Sequence, residues 1–431
     1  MRQAEANHPK LRGSLLEQQA AAAKRLSKRG AFDPVMFAGT DYLRYNSTST
    51  RGKPLDTTMS DIGVELPFRN GFKIIAGTQL NVGSPKQPES STGDGGEWNV
   101  SLKASLGRGS SINDKTAGEQ QAVIGESVAA QSFALTRLDV LQQAAVSYWD
   151  WVGAAQKVVV ARDLLALAET RAAQIQRRFV AGDLPEIDAV EARGEVFRRQ
   201  GSLAKAERDR QKASFKLTLY LWDDNIPDIL GEQASPAFPP ITVLSREAIA
   251  EGRKRVRTQS PQVRAAQLQQ SLFKVDERLA ENDRQPTIDL VLNPGLDTGA
   301  KSIGDTAKVG ISFSLPLNLW EATGRRDEAR AKREKSQQEE RLSARQAQTG
   351  VDDAAGAVEA TRLRYAAAQE EVALAVRLEQ AERKRYELGE GNLFLVNQRE
   401  RASAESRQRL IEVQVEYHQA AATFRAAILD L

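Results

Sequence analysis

The chain has 431 residues, 41% hydrophobic and only 6% aromatic, and its 27% of charged residues nearly cancel to a formal net charge of +3. That length would ordinarily divide into two or three globular domains, while the balanced charge, spread along helix-like stretches, speaks for solvated helical faces and against nucleic acid as a partner. There are no cysteines and only two histidines, His8 and His418; disulfides and thiol chemistry are excluded, and neither a metal site nor a cofactor is expected.

No run of 18 apolar residues exists, so no transmembrane helix is predicted. No signal peptide is visible, and the polar opening MRQAEANHPKLRG, taken at face value, predicts a cytoplasmic protein. A first helix of roughly twenty-five residues ends before Pro34. Alternating segments then predict strands over 35–45, 58–68, 71–80 and 97–107, with Val100, Leu102, Ala104 and Leu106 on one face. Asn70-Gly71 is a strong hairpin signal between the second and third, and the polar run 81–97 is an exposed loop. Residues 111–181 contain no proline and read as one helix roughly 105 Å long. It ends in the turn RRFVAGDLPEIDAVEARGE (177–195), after which a second helix begins. The proline-rich segment 223–247 is not helical. A further helix, strands over 287–294 and 308–317, and a long helix over 321–388 follow. They lead to a second turn, KRYELGEGNLFLVNQRERA (384–402), and a last helix. Helices of this length need neighbours along their whole length, and their alanine-rich faces bury little, so an oligomer is expected.

The order of elements repeats. Pro9 and Pro34 fall on Pro261 and Pro286, both 252 residues later, and Phe179 and Gly182 fall on Tyr386 and Gly389, both 207 later. The expected organisation is a first repeat over 1–222, whose strands at 35–107 include an extra hairpin. A crossover over 223–247 follows, then a second repeat over 248–431 with strands at 287–317.

The duplication, the opening NHPKLRGSLLEQQAAAAKRL with FDP at 32–34, the segment VGISFSLPLNLWEATGRRDEARAKRE (309–334) and the paired glycine turns together resemble the outer membrane efflux protein family, the TolC-like channels. The resemblance implies a mainly α fold with β: a protomer of duplicated strand–long helix hairpins, three copies of which form a β-barrel in outer membrane lipid continued by an α-helical barrel. It implies a homotrimer in the cell outer membrane, extending into the periplasm and exporting passively with a periplasmic adaptor and an inner-membrane pump. On this reading the chain as given opens after its export signal. The glycine turns would form the periplasmic tip, so Phe179, Ala181, Gly182, Leu184, Asp188, Tyr386, Leu388, Gly389 and Asn392 are the expected adaptor-docking residues. The family commonly has an aspartate six residues after each turn glycine. Asp188 keeps it, but Leu395 stands in the second turn, and Ser105 stands where the second repeat has Pro316. Asp188 serves either the pore or simply its own helix start.

No convergent polar site for catalysis is visible. GLDTGAKSIGDT (295–306) lacks the spacing of a phosphate loop and reads as a hairpin loop. His8 is expected to be solvated at a helix start and His418 to pack on a helix face. Trp149 and Trp151 cannot share one helix face. The alternative to a channel is a periplasmic coiled-coil scaffold or adaptor.

Overall fold

The computed structural model describes residues 2–46, 52–87, 90–222, 236–300 and 304–431. Six strands form one antiparallel sheet in chain order: β1 Val35–Asn46, β2 Pro54–Pro67, β3 Lys73–Gly83, β4 Gly96–Ser105, β5 Thr287–Thr298 and β6 Gly304–Ser314. Among the described residues eight α-helices accompany it: α1 Arg2–Asn7, α2 Pro9–Arg29, α3 Asp114–Val180, α4 Glu186–Leu221, α5 Arg246–Gln259, α6 Pro261–Asn282, α7 Trp320–Glu387 and α8 Leu393–Ala427. Pro9 and Pro261 each begin a helix directly after a break, as suits a residue with no N–H to donate. The proline-rich crossover is irregular over 236–245; its first part, 223–235, lies outside the described residues.

Several strands run further than alternation suggested. β5 was expected to stop at Pro294, yet it continues to Thr298. Pro294 pairs with Ala307 of β6, whereas on the β4 side the ladder is interrupted between Leu102↔Leu292 and Asn99↔Gly295. The missing N–H falls in that gap. At the β2–β3 hairpin Gly71 has φ +78°, and the turn closes with Gly71 N–H donating to Phe68 at 3.2 Å and Phe68 N–H to Phe72 at 2.8 Å. Gly63 and Gly77 stand opposite each other, and a Cβ on Gly63 would lie 2.8 Å from the Phe37 ring, so the pair leaves room for that ring.

The register sorts the side chains cleanly. On one face lie Met36, Ile62, Val64, Leu80, Val82, Trp98, Val100, Leu296, Val309, Ile311 and Phe313, all exposed, up to 74% for Val309 and Ile311. On the other lie Asp61, Glu65, Gln79, Glu97, Lys103, Asp289 and Lys308. Several of these are paired: Lys73 with Glu65 at 2.7 Å, Lys103 with Asp289 at 3.3 Å, and Ser105 Oγ donating to Asp289 at 2.8 Å. This sheet is amphipathic with its apolar face uncovered, the reverse of a sheet packed on a core.

The chain divides into two compact units, 1–16 with 131–264 and 341–431, and 17–130 with 265–340. In the second unit the helices are adjacent in the order α2, α3, α6, α7. Arg25 reaches Glu126, Gln121 reaches Asp276, and Arg333 reaches Glu277. Ile112 and Ala117 bury against Val275 of α6. The strands are tied to these helices at their bases. Arg69, in the β2–β3 turn, makes two bonds of 2.8 and 2.7 Å to Glu119 of α3 and lies over the Phe32 ring.

In the first unit, Val256, Val351, Val358, Tyr417 and Phe424 join α5, α7 and α8, and Trp151, Val152 and Leu217 join α3 to α4. The two tryptophans leave the helix in different directions, yet both serve that cluster: Trp151 is buried in it, while Trp149 packs against it and stacks on His418 at 4.4 Å. His8 is not simply solvated, for its ring stacks on Tyr220 at 5.7 Å. His418 is 7% exposed. Burial lowers its pKa below the usual 6.5, partly opposed by a hydrogen bond to the Pro239 backbone. Above pH 6.5 the imidazole is neutral in folded and unfolded chains alike and does not tilt the balance. Below it the unfolded chain takes up a proton that the folded chain resists, so stability falls with pH. His418→Phe keeps a stacked ring without the titration and is expected to flatten the pH dependence of thermal unfolding below pH 6.5.

Candidate functional site

The two glycine turns close in the same way. At the first, Gly182 N–H donates to Phe179 at 2.9 Å and Asp183 N–H to Arg178 at 2.9 Å; at the second, Gly389 donates to Tyr386 at 3.1 Å and Glu390 to Arg385 at 2.9 Å. This pair of bonds is the Schellman closure, which needs a left-handed residue after the helix. Gly182 and Gly389 supply it with φ of +82° and +80°. A Cβ at either position would meet nothing within 4 Å, so the demand for glycine is conformational.

The next helices start differently. Asn392 caps α8, its side chain accepting from Leu395 N–H at 2.9 Å. Pro185 occupies the cap position of α4 and makes no side-chain bond. Glu186 and Asp188 place two carboxylates in the first turn of α4, while α8 has none in its first turn.

The turns share one apolar cluster. Ile175, Ala192 and Leu393 are buried together, with Ala172, Leu184, Ala189 and Tyr386 packed against them. Leu184 and Tyr386 therefore pack on one cluster from opposite repeats, and Tyr386 has its pKa raised by burial first and by the nearby charge of Asp188 second. Phe179 and Asp188 are half-buried, whereas Ala181, Gly182, Leu388, Gly389 and Asn392 are exposed.

Behind the cluster lies an ionic network joining the repeats. Arg171 of α3 holds Glu400 of α8, with one bond of 2.6 Å, and donates to Asn397 at 3.3 Å. Arg383 of α7 also reaches Glu400, at 3.0 Å. Asn397 donates to Glu191 at 3.0 Å, and Glu195 accepts from Arg198 and Arg401. For Glu195, burial works against the charge, but the bonds from Arg401 and Arg198 and the charge of Arg199 outweigh it, and its pKa is lowered. Sequence reading did not find this network, since Arg171 and Glu400 are 229 positions apart. It also missed a collar of exposed apolar residues beside the turns: Val180 (77%), Ile187 (67%), Val190 (58%) and Phe394 (61%). Large apolar side chains flanking the glycines in otherwise alanine-rich helices were the available signal.

Gly182→Val should cost about 1–2 kcal/mol through the left-handed backbone alone and lower the thermal unfolding midpoint. Gly182→Asn, a residue tolerated in that conformation, should stay near the parent; equal losses in both variants would mean that φ is not what selects glycine here.

Residues 253–428 match the family model described as outer membrane efflux protein. No curated protein matches the chain. Among solved structures, the chain resembles a membrane protein from Pseudomonas aeruginosa at 18% identity, with a TM-score of 0.75 over 99% of this chain and 88% of that one. It resembles the Campylobacter jejuni CmeC outer membrane channel at 14% identity and a TM-score of 0.73 over 99% and 84%. The Vibrio cholerae outer membrane protein VceC is similar at 14% identity and a TM-score of 0.71 over 99% and 94%.

Proposed function

We propose, from the match of residues 253–428 to the family model described as outer membrane efflux protein, that the chain is an outer membrane channel of an efflux or secretion system, a passive duct across the outer membrane and the periplasm. The observation that carries the reading is the uncovered apolar face of the six-stranded sheet, backed by a face of paired charges. A wall between lipid and water has this alternation. Each strand has at least 10 residues, enough for a tilted strand to cross a bilayer, which takes about 9–11. No helix among the described residues is long and apolar enough to cross a membrane, so the sheet is the element suited to lipid.

The functional unit is three copies of the chain. The sheet supplies the outer-membrane wall, α3, α4, α7 and α8 supply the periplasmic duct, and the glycine turns meet a periplasmic adaptor coupled to an inner-membrane pump. Transport energy then comes from the pump, and the duct needs no chemistry of its own. The collar of Val180, Ile187, Val190, Leu388 and Phe394 is the apolar surface that an adaptor's helical hairpin covers.

Purified full-length protein in a planar bilayer is expected to give stepwise conductance from a three-copy species. A pure, folded trimer that conducts nothing, even when the turn end is opened by mutation, would overturn the channel. Docking has a separate test. Leu184 is part of the cluster between the turns, so Leu184→Ser acts on packing and docking together, whereas Leu388 is 67% exposed and separates them. Leu388→Ser should keep the trimer yield and lose adaptor cross-linking; unchanged cross-linking and export would leave the turn residues as turn formers only.

A further inference from the structure

We infer that the barrel built by this chain has eighteen strands, six from each of three copies, with the β2–β3 hairpin standing inside the wall as two full staves. The inference rests on the three-copy channel proposed above.

The first support is the hairpin itself. β2 and β3 hydrogen-bond along their length to β1 and β4, with eleven or more residues each. They carry the same two-faced pattern as the other strands. Ile62, Val64, Leu80 and Val82 continue the apolar face of Met36 and Val100. Asp61, Gln79 and the Glu65–Lys73 pair continue the polar face. A hairpin folded into the pore as a plug would have no use for an apolar stripe in phase with its neighbours. Its base is fixed as well, Arg69 clamping Glu119 on α3.

The second support is the direction of the edges. Six antiparallel strands alternate, so β1 and β6 run in opposite senses. The β6 of one copy therefore continues antiparallel into the β1 of the next, and a ring of any number of copies closes without a parallel joint. The apolar faces continue in phase if Met36 and Ala38 take the same side as Val309 and Ile311, which antiparallel pairing permits.

Width is the third support. Strands about 4.8 Å apart and tilted by about 40° make a six-stranded sheet span about 38 Å of circumference. The four helix segments adjacent in the same unit, α2, α3, α6 and α7, span about 36 Å at interaxial distances near 9 Å. Sheet and helix layer thus have matching widths within one copy. Removing β2 and β3 would leave the sheet about 12 Å short of the helices below it. Three copies give a backbone diameter of about 36 Å, in the range of strand numbers that leave an open aqueous channel.

The chain has no cysteine, so single labels are unambiguous. Full-length protein carrying Ala76→Cys or Gln79→Cys, neighbours in β3 on opposite faces, is labelled with an environment-sensitive fluorophore, reconstituted in lipid vesicles and its oligomer mass measured. The expected result is a trimer in which the Ala76 label is blue-shifted and quenched by nitroxide lipids, and the Gln79 label is quenched by aqueous iodide. Ile62→Cys and Asp61→Cys should repeat the pattern in β2. A trimer in which all four labels are quenched by iodide and none by lipid overturns the eighteen-stranded wall and leaves the channel standing. The alternating pattern in an assembly of another size overturns the three-copy reading, and the strand count with it.

Discussion

A strand edge in hydrocarbon has no water to pair with, and each unsatisfied N–H or C=O there costs several kcal/mol. The sheet of this chain ends at β1 on one side and β6 on the other, while its apolar face is uncovered across its width. One copy therefore cannot finish its own sheet in a membrane. The even strand number, the opposed directions of the edge strands and the continuous outward face are what allow identical copies to finish it for each other.

The helices have the same incompleteness in another form. Their buried side chains are small, with Ala, Val and Ser prominent among the most deeply buried residues of α3, α7 and α8. At about 0.8 kcal/mol per buried CH2, such a seam contributes little per turn of helix. The ion pairs along it do not make up the difference. Lys10–Asp139, with both side chains more than half exposed, represents a class worth at most about 1 kcal/mol each. The exception is at the glycine turns, where Glu195 and Glu400 are only 5% exposed and shared among several arginines. Buried pairs of this kind add little net stability, but misalignment strands a charge away from water. They act as a register device: the two hairpins are held level because any slip separates Arg171 from Glu400 and Arg401 from Glu195.

The turn glycines were legible because the Schellman closure demands positive φ, and both positions carry it. Asn70-Gly71 was legible for the same reason. The long helices were legible from the absence of proline, ending within a few residues of expectation at Asp114–Val180 and Trp320–Glu387. Strand ends were not. Pro294 ends a strand only if its missing N–H is needed, and whether it is depends on a neighbour, β4, some 200 residues away in the chain. His8 shows the limit at a single residue: beside a proline at a helix start it looks solvated, and only the fold brings Tyr220 to it. Local conformational demands are written in local sequence, whereas pairings set by tertiary approach are not.

The unequal acid pattern of the two turns follows from how each following helix is started. A helix N-terminus leaves backbone N–H groups unpaired and carries a partial positive charge. At α8 Asn392 answers with a side-chain cap on Leu395 N–H, a contact worth about 1 kcal/mol. With the cap in place, residue 395 need not be acidic. At α4 Pro185 holds the cap position and has no side chain that accepts. Glu186 and Asp188 supply charge to the first turn instead, worth about 0.3–1 kcal/mol and weakened by salt. Asp188 is therefore accounted for at its own helix start before any role in the pore is assigned to it. Its charge also acts across the repeat boundary on Tyr386, whose pKa it raises after burial, so the two turns differ in how the next helix starts: one by first-turn carboxylates, the other by a neutral side-chain cap.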